Sequence, residues 1–537
     1  MESAKIKKQN LHSERNFFWG TLFILMLAQI GTSGDNGILI VATSSLIETL
    51  DASMDEIQLM NLIYALCAGS FMLIGGMIGI IVGWRKIFRI GVCLCALGEV
   101  IITLSPNIQV LTWGGRFTVG MGASLMIPAM FGLIVGVYHG KNRALAFGAI
   151  GASTGIAACL GPLIAGIFID SLGWRFAFGF MAFFFVIILI LSRIIPDIKL
   201  SQGKVKMDYL GAIISSVGLF ILIIGISKIS VWGFMKPINP PFTIVGLSPA
   251  IIMILLGILI LFVLIPIEKK VENRNGAALI PQSYIKTPQV RDGVYLQFLI
   301  FFCFSGAGIL ISPYLQLVAG FSAKTTGLVM IFMAVPMVVF SIGIPKFFSN
   351  ASPKNVSRLG ILIASFSGII MALSLSEDGV SWLIYFGLCL FGTGQGLVSS
   401  QASNIIAVAV NEREAQQSGG IQTAARDLGQ AIGVALLGMM LLVSMTNITH
   451  DEVMKNDTIS QETKKEVINL KTVNFMSNTK FIELVKPIAK SENELQELTQ
   501  INSDVRKEST QNGLFLMSGI ILLFLFGTNK IPHSLKK

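Results

Sequence analysis

Charged residues are scarce in this amino-acid sequence. Asp, Glu, Lys and Arg make up 13% of its 537 residues, whereas hydrophobic residues make up 53%. A soluble globular domain usually has about 25% charged residues, so this composition excludes that class. The few charges are also unevenly placed, because they fall in short clusters between long apolar runs. Such a distribution is typical of a polytopic helical membrane protein.

Residues and motifs for chemistry are few as well. All six cysteines lie within apolar segments, which favours small buried residues over a disulfide framework or a metal site. The four histidines lie in tails or loops, where they are expected to be solvated. The sequence contains no Walker A loop, no H-E-x-x-H and no G-x-S-x-G motif. We therefore expect no enzyme, no ATP-driven pump, no metal and no cofactor.

The basic residues give the chain a formal net charge of +10 without forming one patch. Their distribution follows the positive-inside rule and does not suggest a nucleic-acid surface. They cluster on the side of the N-terminus, which we expect to be cytoplasmic together with the C-terminus. The clusters are Lys5/Lys7/Lys8, Arg85/Lys86/Arg89, Lys141/Arg143, Lys199/Lys204/Lys206, Lys269/Lys270/Arg274 and Lys536/Lys537.

Fourteen apolar runs are long enough to cross a bilayer, for which a helix needs about 20 residues. The sequence therefore predicts an all-α membrane protein. A repeat between 141–155 and 411–425 favours two related six-helix bundles, at 1–200 and 287–537, with two inserted spans at 201–286. The predicted spans are 17–46, 57–82, 87–105, 108–138, 144–169, 174–195, 209–230, 243–266, 290–316, 326–346, 358–375, 380–410, 416–445 and 512–530.

One long polar loop, at about 446–511, is expected on the external side. It contains "NELQELTQI", in which apolar residues recur at helical spacing, so short surface helices are predicted. A solvated hairpin that docks on the outer face is favoured over a separate functional domain.

Asp35 is the only charged residue between Phe17 and Ile47. A carboxylate at the centre of a spanning helix costs roughly 2.5–3.5 kcal/mol on insertion scales. Burial favours its neutral form, so it can hold a proton in one state and release it when water enters. The favoured interpretation is a proton carrier; the alternative is a structural carboxylate bonded to neighbouring helices.

Four other ionisable residues within predicted spans are candidates for function. Glu99 is either a second proton site or a side chain that reaches interfacial water near the outer end of span 3. Arg116 cannot lose its charge, so it either tunes a nearby acid or anchors helices. Arg426 and Asp427 are adjacent and point about 100° apart on a helix, which leaves open which of them faces a cavity.

Span 5 is rich in glycine and alanine, which let helices approach closely in lipid. The structural interpretation of this composition is tight helix packing. The functional interpretation is a helix that is bent at Pro162 and seals a cavity. Gly155, Gly161, Pro162 and Gly166 resemble the span-5 antiporter motif of exporters in the major facilitator superfamily.

Further motifs agree with this resemblance in order along nearly the whole chain. "DNGILIVA", which starts at Asp35, resembles the first-span motif of the fourteen-span drug:proton antiporter family 2. "GRFTVGMGASLMIPA" resembles the span-4 motif that begins with an intramembrane arginine, here Arg116. Similar stretches are "DYLGA" from Asp208, "YLQ" up to Gln316, and "ARDLGQAIGVAL", which includes Asp427.

The loop after span 2 departs from the family pattern. "GGMIGIIVGWRK" keeps Gly76, Gly83, Arg85 and Lys86 of the cytoplasmic gate loop. Ile80 stands where the family has an aspartate that helps to latch the cytoplasmic face, which leaves the latch of this chain an open question.

The resemblance implies a major facilitator fold and a proton-coupled exporter of lipophilic, cationic compounds. It implies Asp35, Glu99 and Arg116 for proton coupling, and Asn36, Gln316, Arg426 and Asp427 as candidates in the substrate cavity. The alternative function is a translocase of a lipid or lipid-like amphiphile on the same fold. The expected partners are protons, a small lipophilic substrate and membrane lipids, for a monomer in a bacterial cytoplasmic membrane.

Overall fold

The computed structural model describes residues 2–50, 52, 54–198, 207–238, 240–243, 245–275, 278–376, 379–470, 472–473 and 475–534. A π-helix, Val110–Arg116, precedes α4, and two-residue strands β1 (Leu375–Ser376) and β2 (Gly379–Val380) pair antiparallel. The α-helices are α1 (Glu2–Leu50), α2 (Met54–Val82), α3 (Trp84–Leu104), α4 (Phe117–Val137), α5 (Gly140–Leu172), α6 (Trp174–Leu191), α7 (Tyr209–Ser227), α8 (Ile229–Trp232), α9 (Pro249–Asn275), α10 (Gln282–Lys286), α11 (Pro288–Leu317), α12 (Ala323–Phe347), α13 (Pro353–Leu373), α14 (Leu383–Ala409), α15 (Glu412–Lys455), α16 (Gln461–Asn469), α17 (Asn478–Val485) and α18 (Glu492–Leu523).

Long apolar helices dominate the structure, which confirms the expected all-α class. Within the described residues, 13 helices are long and apolar enough to cross a membrane. Predicted span 5 corresponds to α5, a helix of 33 residues that packs between α1 and α12.

Two tight turns between spanning helices require glycine. Gly83 and Gly173 have φ angles of +106° and +84°, a region that residues with a Cβ rarely adopt. Each is followed by a buried tryptophan, Trp84 and Trp174, that begins the next helix.

Two large buried cores divide the membrane helices. One joins α1 to α6, with additional contributions from Ala407 and Ala415. The other joins α11 to α15 with α18. The halves meet where α5 packs along α12 and where α15 packs against α2 and α4.

The inserted helices α7 and α9 pack on each other, and α7 also packs against α2. α9 keeps most of its apolar surface exposed, since only 17% of its most apolar window is buried. The predicted boundary between residues 200 and 201 lies outside the described residues.

The segment predicted as an external loop is mostly helical. α15 continues to Lys455 and α18 begins at Glu492, so both helices extend well beyond predicted spans 13 and 14. Their ends enclose a small apolar core together with α16 and α17. The stretch "NELQELTQI" lies in α18, and Arg506 Nη1 donates to the Leu317 carbonyl at the end of α11, 3.1 Å away.

The five described cysteines are free thiols. Cys67, Cys95 and Cys303 are buried, whereas Cys93 is exposed and Cys389 is half-buried. The expectation of buried cysteines is therefore wrong for those two, because α3 and α14 each turn part of their apolar surface outward.

Candidate functional site

A buried ion pair joins α1 to the start of α4. Arg116 Nη1 lies 2.6 Å from Asp35 Oδ2, and both side chains are fully buried. Arg116 ends the π-helix, where the Phe117 N–H donates to the carbonyl of Thr112, five residues earlier. π-Helical turns occur frequently at functional sites. The two residues that sequence analysis selected as proton carrier and intramembrane arginine are in direct contact.

Three groups fix the orientation of the Arg116 guanidinium. Besides Asp35, its Nη2 donates to Asn36 Oδ1 at 3.3 Å. The guanidinium carbon lies 4.6 Å from the centroid of the Tyr64 ring, a cation–π contact. Asn36 in turn donates to the Thr32 carbonyl within α1. These contacts hold the positive charge in one place.

Glu99 on α3 is the second carboxyl group of this cluster. It is fully buried and interacts electrostatically with Asp35 and Arg116. The alternative in which Glu99 reaches interfacial water is therefore wrong. Among the described residues, neither Glu99 carboxylate oxygen has a hydrogen-bond partner, and Asp35 Oδ1 has none either.

The buried charges at this site do not balance if both acids are ionised. Two carboxylates and one guanidinium leave one net negative charge in a dry environment, which is strongly unfavourable. One bound proton makes the cluster neutral and supplies a hydrogen-bond donor to the unpartnered oxygens. The arrangement of Asp35, Glu99 and Arg116 is therefore suited to bind and release a single proton.

Arg426 on α15 contacts the first half of the molecule. Its Nη1 donates to Gln29 Oε1 at 3.3 Å, and its guanidinium lies 4.1 Å from the centroid of the Phe301 ring. Gln29 Nε2 donates to Ser33 on the same helix and to Thr154 on α5. Gln29 and Asp35 both belong to α1, so this helix connects the cluster of Asp35, Glu99 and Arg116 to Arg426.

Asp427 faces a different direction from Arg426, as expected for neighbours on a helix. Its side chain is half-buried, and its Oδ2 has no hydrogen-bond partner among the described residues. That oxygen lies 3.5 Å from the position that a Cβ on Gly69 would occupy. Tyr64 interacts electrostatically with both Asp35 and Asp427, so it lies between the two acids.

Gln316 and a group of buried amides lie in the second half. Gln316 donates to Ser312 within α11, and among the described residues it forms no hydrogen bond to the Asp35 cluster. Gln297 on the same helix donates to Ser403 on α14 and to Gln422 on α15. Sequence analysis missed Gln297, Gln29 and Tyr64 because, apart from Asn36 and Gln316, its polar candidates within the spans were charged side chains. Uncharged polar residues within long apolar runs were the available signal.

The glycines of the antiporter motif mark close helix contacts of α5. A Cβ on Gly161 would lie 2.9 Å from the Gly34 carbonyl oxygen of α1, next to Asp35. One on Gly155 would lie 2.9 Å from Met337 on α12, and one on Gly166 would lie 3.4 Å from the backbone of Lys324 on the same helix. The backbone at Pro162 is helical, and its side chain is not among those that the structure describes. The bend at this residue stays a prediction.

The residues of the gate loop have separate roles in packing. A Cβ on Gly76 would lie 3.5 Å from the backbone of Gly420, so α2 and α15 are close here. Arg85 donates to the Arg193 carbonyl after α6, and Lys86 is exposed. Gly83 provides the turn described above.

Trp84 forms a contact between the two halves at this loop. Its indole Nε1 donates to Gln416 Oε1 on α15 at 2.9 Å. Its ring is buried against Gly79 and Gly132, where a Cβ would collide with it. Ile80, at the position of the family's aspartate, is buried and apolar. An uncharged tryptophan–glutamine bond therefore joins the halves where the family has a charged latch.

Comparison with known proteins identifies relatives among antibiotic transporters. The chain is 27% identical over 429 residues to a probable actinorhodin transporter of Streptomyces coelicolor, which covers 79% of this chain and 72% of that protein. It is 23% identical to a tetracenomycin C resistance and export protein of Streptomyces glaucescens, over 81% of this chain and 78% of the other. A methylenomycin A resistance protein of Bacillus subtilis is 22% identical, over 79% and 88%.

Solved structures of the same fold cover almost the whole chain. The human organic anion transporter MFSD10 superposes with a TM-score of 0.58 at 12% identity, covering 96% of this chain and 99% of that one. The proton:xylose symporter XylE superposes with a TM-score of 0.55 at 11% identity, covering 97% and 98%. The family model described as Major Facilitator Superfamily matches residues 25–235 and 207–434. The expected major facilitator fold is thereby confirmed, and the chain belongs to the major facilitator superfamily of membrane transporters.

Proposed function

We propose that this protein exports a lipophilic, cationic compound across a bacterial cytoplasmic membrane in exchange for protons, with Asp35 as the proton carrier. The observation that carries this proposal is the buried cluster of Asp35, Glu99 and Arg116. It contains two acids and one permanent cation, and three of its carboxylate oxygens lack a partner.

The balance of charge in this cluster explains how proton and substrate compete. With one proton bound, the cluster is neutral and stable without substrate. When the proton leaves, one net negative charge remains, and a substrate cation bound nearby would compensate for it. Arg116 keeps its charge throughout. The net charge of the cluster therefore does not fall below minus one when both acids are ionised.

Helix α1 provides a connection from proton binding to the opposite half. Gln29 and Asp35 are six residues apart, about 9 Å along a helix axis. Gln29 contacts Thr154 and Arg426, so a shift of α1 upon protonation would alter contacts with α5 and α15. Gly161 allows α5 to touch α1 beside Asp35. This network supports coupling between the proton site and the interface of the two halves.

The driving force depends on the charge of the substrate. A monovalent cation that exchanges for one proton moves no net charge, so the pH gradient alone drives it. Each pH unit then contributes about 1.4 kcal/mol, or about a tenfold gradient of substrate. The names of the relatives, which refer to transport of or resistance to antibiotics, support an amphiphilic drug as the exported compound.

The proposal also covers the topology, the domain organisation and the oligomeric state of the protein. We infer cytoplasmic termini from the basic clusters, and a monomer that contains bundles at 1–200 and 287–537 with inserted helices at 201–286. With this orientation, the helical extensions of α15 and α18 form a long segment on the outer side. The lipid translocase is not favoured by the names of the relatives.

An efflux assay tests this function. The protein is expressed in an efflux-deficient bacterium and challenged with a panel of dyes, quaternary ammonium compounds and antibiotics, with and without a protonophore. We expect resistance and dye efflux that the protonophore abolishes. Lipid scrambling without proton-dependent efflux would instead support the translocase.

A further inference from the structure

A second pair of buried carboxyl groups lies away from the Asp35 cluster, where α7 begins and α9 ends. Asp208 is 3% exposed and Glu268 is 1% exposed. A Cβ on Gly211 would collide with both Asp208 Oδ2 and Glu268 Oε1, so the two oxygens point at the same spot. Among the residues that the structure describes, neither oxygen has a hydrogen-bond partner. Two buried acceptors that face each other lack a donor between them.

The other oxygen of each group is satisfied by backbone. Asp208 Oδ1 accepts from the Gly211 N–H at 2.9 Å and caps α7. Glu268 Oε2 accepts from the Ile280 N–H at 3.2 Å. These bonds fix both carboxyl groups in their facing positions.

Within the part of the chain that the structure describes, no basic group neutralises the pair. Among the described residues, neither carboxylate forms an ion pair with Lys or Arg, and the titratable group with which Glu268 interacts is Asp208. The cytoplasmic half of α2 beside α7, residues 72–82, contains no charged residue. On α7, α9 and α10, Tyr209, Lys269, Lys270 and Arg274 are exposed. Glu272 accepts from the Gln282 N–H, Lys286 donates to Gln282, and Tyr284 donates to the Glu414 carbonyl. The start of α15 carries three further charged residues, Glu412, Arg413 and Glu414.

We propose that Asp208 and Glu268 form a second proton-binding site, in which one shared proton bridges Asp208 Oδ2 and Glu268 Oε1. Like charges at this separation cannot both persist without a partner. The shared proton supplies the missing donor and leaves a single negative charge, which the backbone N–H groups of Gly211 and Ile280 stabilise.

Hydrogen bonds link this site to α15. The Glu268-bound Ile280 belongs to the segment that joins α9 to α10. In that segment the carbonyls of Ala278 and Leu279 accept from Gln417 Nε2 at 2.7 and 3.0 Å. Loss of the shared proton forces the carboxylates apart and displaces this segment, which weakens its bond to α15. Because the cluster of basic residues at 269–274 predicts a cytoplasmic location, the site responds to cytoplasmic pH.

Infrared difference spectroscopy on the purified full-length protein tests the binding of this proton. We expect a protonated carboxyl band that disappears as the pH is raised from about 5 to about 9, a range that extends well beyond ordinary carboxyl titration. The variants Glu268→Gln and Asp208→Asn should each lose this change. Glu272→Gln is the matched control, because Glu272 lies one turn further on α9 and also accepts a backbone N–H.

The spectra separate this site from the transport proposal. Asp35→Asn should keep the band that Glu268→Gln removes, whether or not Asp35 carries the transported proton. An identical difference spectrum in wild type and both pair variants would overturn the proposal. So would a band that follows sodium concentration at constant pH, because the site would then hold a metal cation.

The effect on rate rests on the proposed function and is measured in everted vesicles. There the medium contacts the cytoplasmic face, so its pH is varied while the gradient is held constant. Wild-type transport should change with that pH, whereas Glu268→Gln should transport at a rate that no longer depends on it. Glu272→Gln, the matched control, should keep the pH dependence of wild type. The link to α15 would be contradicted if transport by Glu268→Gln showed that same pH dependence.

Discussion

Glu99 determines how the charges of the central cluster balance. Without it, Asp35 and Arg116 form an ordinary buried ion pair in which the carboxylate is stabilised by its partner. With it, a second carboxylate competes for the same guanidinium, and a proton is needed to restore neutrality. The residue that sequence analysis placed near the outer membrane surface is thus essential to proton binding in our proposal.

We expect Glu99→Gln to lose substrate-induced proton release near neutral pH, although Asp35 is still present. The amide cannot ionise, so Asp35 stays charged against Arg116 and binds no proton. Proton release is measured with a pH indicator in weakly buffered, purified protein. Glu56→Gln is the control, because it replaces a more exposed carboxylate that accepts from Gln109. Release equal to wild type in Glu99→Gln would remove Glu99 from the mechanism.

At the scale of helices, α5 contacts both α1 and α12 through positions without side chains. This makes α5 the element through which a movement of α1 reaches the other half. A larger residue at Gly161 has no space, because the Gly34 carbonyl is 2.9 Å from the added Cβ and belongs to the backbone, which cannot rotate away.

Gly161→Leu should abolish efflux while the protein still inserts in the membrane. The leucine side chain would displace α1 at Gly34 and shift Asp35 away from Arg116. Dye efflux and membrane content are measured together. Gly308→Leu on α11 is the control, since no atom lies within 4 Å of its added Cβ. If the Gly161 variant transports normally, the glycine motif has no role beyond ordinary packing.

Trp84 and Gln416 should hold the cytoplasmic ends of the two halves together. A neutral hydrogen bond contributes about 0.5–1.5 kcal/mol, so its loss should raise the opening of this contact on the order of two- to tenfold. Hydrogen–deuterium exchange of residues 412–420 should be faster in Trp84→Phe, which keeps an aromatic side chain but lacks the donor. Trp113→Phe replaces an exposed tryptophan and should change nothing. Unchanged exchange in Trp84→Phe would show that this bond does not join the halves.

For the whole molecule, the sequence predicts the membrane helices well and their contacts poorly. Apolar runs of sufficient length define the spans because the bilayer imposes that length. The helical extensions of α15 and α18 beyond the predicted spans were missed because their polar residues do not meet this criterion. Their stability comes from the small core that they share with α16 and α17.

The central cluster could be predicted only as a set of candidates. Asp35, Glu99 and Arg116 stand out because charges within spans are rare and costly. Their mutual contact could not be predicted, since Arg116 and Asp35 are 81 positions apart and the Arg426–Gln29 contact joins residues 397 positions apart. Helical periodicity defines faces within one element and says nothing about which distant faces meet. The neutral partners Gln29 and Tyr64 were missed because the candidates within spans were chosen mainly for their charge.

The central claim, that Asp35 exchanges a proton for substrate, is tested most directly by Asp35→Asn. Substrate binding and substrate-induced proton release are measured together on purified protein between about pH 5 and about pH 9. The account predicts that the variant still binds substrate, because the apolar surfaces are unchanged, and releases no proton, while Asp35→Glu keeps partial release. Full proton-coupled efflux by Asp35→Asn would contradict the account.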